Sequence, residues 1–131
     1  MNTLIYLLVL HFIADFLLQS REMGKRKSTS FEYLAAHILI IFTVFYVGAY
    51  WLPGKFAILN ALVHAVIDWN VWRLYKLAAY ARIKRNPDHE LIDKSIPEGW
   101  RYFEDSWFYA TIGFDQLLHT LTIVILYFYV S

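Results

Sequence analysis

The chain has 131 residues, 59% of them hydrophobic and 19% aromatic, with no cysteine and a formal net charge of +1. So apolar a composition excludes an ordinary soluble domain and leaves lipid as the natural solvent. The missing thiols exclude a disulfide frame and a thiolate metal site, and the length gives room for one domain over residues 1–131.

Runs of about 20 apolar residues read as membrane helices. The first is expected at about 3–20. Met1-Asn2-Thr3 offers no basic stretch and no small-residue cleavage site follows, so this span is read as retained and not as a signal peptide. It contains HFIADFLLQ, with His11, Asp15 and Gln19 four apart. The basic stretch after it, Arg21 with Lys25, Arg26 and Lys27, is read as an anchor for anionic lipid or a seat for a phosphate.

Span two is expected at about 32–52, with His37 some five residues inside it. Its Phe42, Phe45, Tyr46 and Tyr50 read as packing or lipid-facing rings. Pro53-Gly54 turns the chain into span three, about 55–75, which carries NALVHAVID with Asn60, His64 and Asp68 in the same four-residue stepping. Ala57, Ala61 and Ala65 give that helix a face for close packing. KLAAYARIKR extends it as a helix emerging into the cytoplasm, and Asn86-Pro87-Asp88 stops it.

Ile96, Trp100, Phe103 and Trp107 recur at helical spacing and suggest a short interfacial helix, although a loop with apolar anchors fits as well. His89 reads as an ordinary surface histidine. Span four, about 107–130, holds DQLLH with Asp115, Gln116 and His119. Trp51, Trp107, Tyr127 and Tyr129 fall near span ends, where amphipathic rings settle at the headgroups.

The expected fold is therefore all-α: an integral membrane four-helix bundle with a cytoplasmic extension of its third helix and a short interfacial helix before its fourth. Basic residues concentrate after spans one and three, which places those loops in the cytoplasm and both termini outside it.

Residues four apart share a helix face, so three spans each aim a His and an Asp together. In spans one and three the His comes first, and in span four, running the other way, the Asp comes first. The three histidines thus share one level and the three aspartates another, about 6 Å nearer the cytoplasm. His37 enters near the aspartates. A carboxylate at the bilayer centre costs roughly 2.5–3.5 kcal/mol, and a bound cation offsets that by favouring ionised carboxylate with neutral imidazole.

The expected metal ligands are His11, Asp15, His37, His64, Asp68, Asp115 and His119. The ion is expected to be divalent, with zinc first and manganese or iron as the other candidates. One or two ions fit that many ligands. Gln19, Asn60 and Gln116 are placed to orient ligands. Hydrogen bonds within and between helices, or a proton relay, use the same residue types.

HxxxDFxLQ, a basic stretch, a histidine in span two, HxxxD and DQxxH together resemble an uncharacterised family of small bacterial and bacteriophage membrane proteins, a domain of unknown function. The resemblance marks His11, Asp15, Phe16, Gln19, Lys25, His37, His64, Asp68, Asp115, Gln116 and His119. The family usually has a second polar residue one turn after the span-two histidine, where this chain has Ile41. The resemblance implies a bacterial or phage origin, and with it a bacterial inner membrane, and no established activity.

The expected function is that of a membrane metal-binding protein working as a metal-dependent hydrolase on lipid or lipid-linked phosphate. A bound ion lowers the pKa of its water to about 7, with Asp68 or Asp115 as general base and Lys25, Arg26 and Lys27 receiving the phosphate. The alternatives are a proton or metal transport component, which would need an oligomer, and an interaction protein with a structural metal and a membrane-protein partner. Lipid is the expected partner and nucleic acid is not.

Overall fold

The structure, a computed structural model, describes residues 2–131. It is all-helical, with no named strand among the described residues. Helix α1 (Thr3–Phe12) starts at Asn2, whose side chain accepts from the Leu4 N–H, and runs on into a π-helical turn over Ile13–Leu17. A six-residue helix, α2 (Arg21–Arg26), is capped by Ser20 accepting from the Met23 N–H. Helix α3 covers Phe31–Gly48 and α4 covers Gly54–Ala79, the latter continuing as a π-helical segment over Tyr80–Lys84. A single 3-10 turn (Tyr102–Glu104) precedes α5 (Ser106–Val130).

The helices pack α1 on α3 and α5, and α4 on α3 and α5. The buried stripe of α4 runs Phe56, Ala57, Asn60, Ala61, His64, Ile67, Asp68, Val71, Tyr75 and Ala79, the three-and-four spacing of one helix face. That stripe has three zones. Phe56 and Ala57 join Leu7, Leu10, Ile41, Phe45 and Ile123 in one apolar core. Tyr75 and Ala79 join Ile83 and Trp100 in another. Between them along α4 lie His64 and Asp68.

Two helices, Phe31–Gly48 and Ser106–Val130, are long and apolar enough to cross a membrane. The other two expected spans are not. Thr3–Leu17 is shorter, and α4 is interrupted by Lys55, Asn60, His64, Asp68 and Asn70. The polar side chains that mark the site are the ones that dilute its helices.

Of the two expectations for residues 96–107, the interfacial helix does not form and the loop with apolar anchors does. Pro97 and Gly99 stand inside this stretch, and Gly99 adopts φ +77°, which no right-handed helix accepts. Trp100 is instead buried against Tyr75, and its strand-like pairing with Ile92 holds the loop. Asp105 locks this end. It accepts from the Tyr75 hydroxyl and from Arg82 Nη2, each at 2.9 Å, and caps α5 through the Trp107 N–H. Burial works against its charge, but Arg82, Tyr75 and that N–H outweigh it and hold the carboxyl below the usual carboxylate range.

Candidate metal centre

Four helices bring their polar residues to one place because each presents a single inward face. His11 and Asp15 come from α1 and its π-helical turn, His37 from α3, His64 and Asp68 from α4, and Asp115 and His119 from α5. All seven are buried, none more than 4% exposed. π-helical turns concentrate at functional sites, and Asp15 sits in the middle of this one.

The tightest group is Asp15, His37, His64 and Asp68. His37 Nε2 lies 3.1 Å from Asp15 Oδ1, 3.2 Å from Asp68 Oδ2 and 3.1 Å from His64 Nε2. His64 Nε2 lies 3.2 Å from Asp68 Oδ2 and 3.6 Å from Asp15 Oδ1. Ligands about 2.0–2.1 Å from a tetrahedral ion stand about 3.3 Å from one another, so these spacings suit one such ion at the middle. A hydrogen-bonded cluster accounts for them less well. An imidazole nitrogen offers one in-plane direction, yet His37 Nε2 faces three partners at once. Both Asp68 oxygens remain without a properly directed hydrogen bond despite their near neighbours.

Asp15, Asp115 and His119 form a second possible ligand group. His119 Nε2 lies 3.3 Å from Asp68 Oδ1 and 3.5 Å from Asp115 Oδ2. Asp115 Oδ1 and His119 Nε2 make no hydrogen bond. His11 stands to one side, its Nε2 3.0 Å from Gln116 Oε1 and 3.8 Å from Asp15 Oδ2. The His11, His64 and His119 rings pack together with centroids 3.8–5.6 Å apart.

Of the residues expected to orient ligands, Gln116 touches them, donating to Asp15 Oδ2 at 2.8 Å and to Asp115 Oδ2 at 3.2 Å. Asn60 is buried one turn before His64 with its Nδ2 unpaired. Gln19 is not bonded to the cluster. Its Nε2 instead closes on Gly24, where an added Cβ would meet it at 2.9 Å. Ile41, one turn after His37, belongs to the apolar core, so α3 contributes only His37.

The basic stretch divides. Arg26 stays on the surface beside Glu22, and Lys25 pairs with Glu98 at 2.9 Å. Lys27, read from the sequence with them as a lipid anchor or a seat for a phosphate, turns inward. Only 4% exposed, it places its Nζ 3.0 Å from Asp68 Oδ1 and 3.4 Å from Asp15 Oδ1. Ser28, also buried and not anticipated, is held by Arg73 and Lys76. His89 lies in the loop, its Nδ1 accepting from the Leu91 N–H.

Nothing matches this chain among curated proteins or among solved structures. One family does, and its match runs from residue 3 to residue 131, taking in every helix that feeds the cluster. The chain belongs to that family, described as "Protein of unknown function (DUF3307)".

Proposed function

We propose that the chain is an integral membrane protein, a four-helix bundle that holds a divalent metal ion, zinc before manganese or iron, at Asp15, His37, His64 and Asp68. The observation that carries the ion is the convergence of His37 Nε2 on three ligand-type atoms at 3.1–3.2 Å. The inverted polarity of the helices supports the bilayer. Leu39, Leu62, Leu74 and Ile125 are about three-fifths exposed or more, whereas His37 and Asp68 are fully buried. In water that arrangement is costly on both counts; in lipid both faces are satisfied.

The reaction such a site supports is hydrolysis of a lipid or lipid-linked phosphate. A divalent ion in this place supplies Lewis-acid polarisation and an acidified water. Asp68 is committed to the ligand set, which leaves Asp115, with its unpaired Oδ1, to take up a proton. Gln116 holds Asp15 and Asp115 in register. Lys25 and Arg26 lie nearer the surface, in the same basic run that delivers Lys27 to the ligands. Their charge suits them to receive an arriving phosphate.

Elemental analysis of the protein purified in detergent tests the ion, with His37→Ala/Asp68→Ala beside it. One equivalent in the wild type and none in the variant is expected. A wild type without stoichiometric metal ends the reading. Phosphate release from phosphatidic acid vesicles tests the reaction, and release that is insensitive to both chelator and Asp115→Asn ends that part.

A further inference from the structure

Asp68 faces two ways. Its Oδ2 stands with His37 and His64, and its Oδ1 stands 3.0 Å from Lys27 Nζ and 3.3 Å from His119 Nε2. A carboxylate that offers one oxygen to each of two neighbouring sites is how paired metal ions about 3.5–4 Å apart are commonly bridged. Beyond Oδ1 the makings of a second site are present: Asp115 and His119 are buried, with Asp115 Oδ1 and His119 Nε2 making no hydrogen bond. The ammonium group of Lys27 lies against Asp68 Oδ1 and Asp15 Oδ1.

We propose that Lys27 stands in for a second divalent cation, so that the cluster accepts one metal ion and not two. The proposal rests on the reading that Asp15, His37, His64 and Asp68 hold the first. Charge supports it. With neutral imidazoles, Asp15, Asp68 and Asp115 bring three negative charges; one divalent ion cancels two of them and Lys27 the third. A second divalent ion would leave two net positive charges sealed from water beside Lys27, against one in its absence, and low-dielectric surroundings penalise the larger charge more heavily.

Lys27 is also held in place. Its N–H donates to the Met23 carbonyl at 2.9 Å. The next residue is fastened twice, by Arg73 Nε donating to the Ser28 carbonyl and by Lys76 Nζ donating to Ser28 Oγ, each at 3.0 Å. A lysine supplied by a fixed backbone is a permanent part of the cluster and not a passing counterion.

The test is the ratio of metal to protein. The full chain in detergent is loaded with excess zinc ion, freed of unbound metal and analysed for zinc, as wild type and as Lys27→Met, Lys27→Arg and Lys27→Met/Asp115→Asn. Expected ratios are one, two, one and one. A wild type holding one ion with Lys27→Met also at one, or below it, overturns the proposal and leaves the first site standing. A wild type holding two overturns it likewise, and a wild type holding none overturns both. If Lys27→Met does not fold, Arg73→Gln/Lys76→Gln loosens the seat of Lys27 without altering a ligand. A ratio above one is then expected, and a ratio held at one overturns the proposal.

Discussion

His37 Nε2 lies 3.1 Å from His64 Nε2, and the two imidazoles come from different helices, α3 and α4. Two ring nitrogens so close share one proton at most, and two protonated rings would repel at close range. Buried there, the pair is suited to donate both lone pairs to one cation. His37→Ala and His64→Ala each remove one of four ligands and should weaken zinc binding by more than about 100-fold, since losing an orienting partner alone costs about 10–100-fold. Gln116→Leu should fall within that smaller range. Competition against a chelator of known affinity measures all three, and equal losses at His37 and Gln116 would refute the assignment of His37 as a ligand.

Asp105 carries the other buried polar network, where the loop meets α4 and α5. Asp105→Ala strands Arg82 and the Tyr75 hydroxyl and removes the α5 cap, so a destabilisation of about 2–4 kcal/mol is expected. Asp105→Asn keeps an acceptor for the cap and loses the ion pair, and should cost about 1–2 kcal/mol. Unfolding followed in mixed micelles reads both. Metal content should stay at its wild-type value in the folded fraction, because no ligand touches this network.

The cluster was legible because its signal is geometric at the level of the sequence. A His and an Asp four residues apart share a face whatever surrounds them, and the reversal of order in span four matches the reversal of direction between helices. Lys27 was not legible. It follows Lys25 and Arg26 in one basic run, and only the path of the chain after α2 decides which of the three turns inward. The π-helical turn at Asp15 has no pattern of its own, since Ile13–Leu17 reads as ordinary helix. At residues 96–107 the aromatic spacing fits a helix and an anchored loop equally, and Pro97 and Gly99 are the local determinants that decide for the loop.

Acid should expose the Asp105 network. Its carboxyl is held below the ordinary range, so the stabilisation is fully present above the unfolded value of about 3.9 and is lost as pH falls through the lower, folded value. Wild-type stability should therefore drop below about pH 4 by more than that of Asp105→Asn, with the difference between them shrinking as pH falls. Parallel curves for the two proteins would show that Asp105 adds no acid-dependent term.

The absence of cysteine makes the proposed topology directly readable with single-cysteine variants. Lys55 Nζ lies 5.5 Å from the centre of the Tyr129 ring, so the turn between α3 and α4 sits at the same end as the last turn of α5. At the other end Lys25 pairs with Glu98, joining the two basic loops to one another. Excess Lys and Arg mark the cytoplasmic side of a membrane protein. A membrane-impermeant maleimide should accordingly label Lys55→Cys from outside intact spheroplasts and Ser95→Cys only in inverted vesicles. The reverse pattern would turn the bundle over without disturbing the cluster, because ligand convergence depends on helix direction relative to its neighbours. Labelling of both positions from one side would remove the spanning arrangement itself, since α4 must pass from one face to the other for the two to be separated.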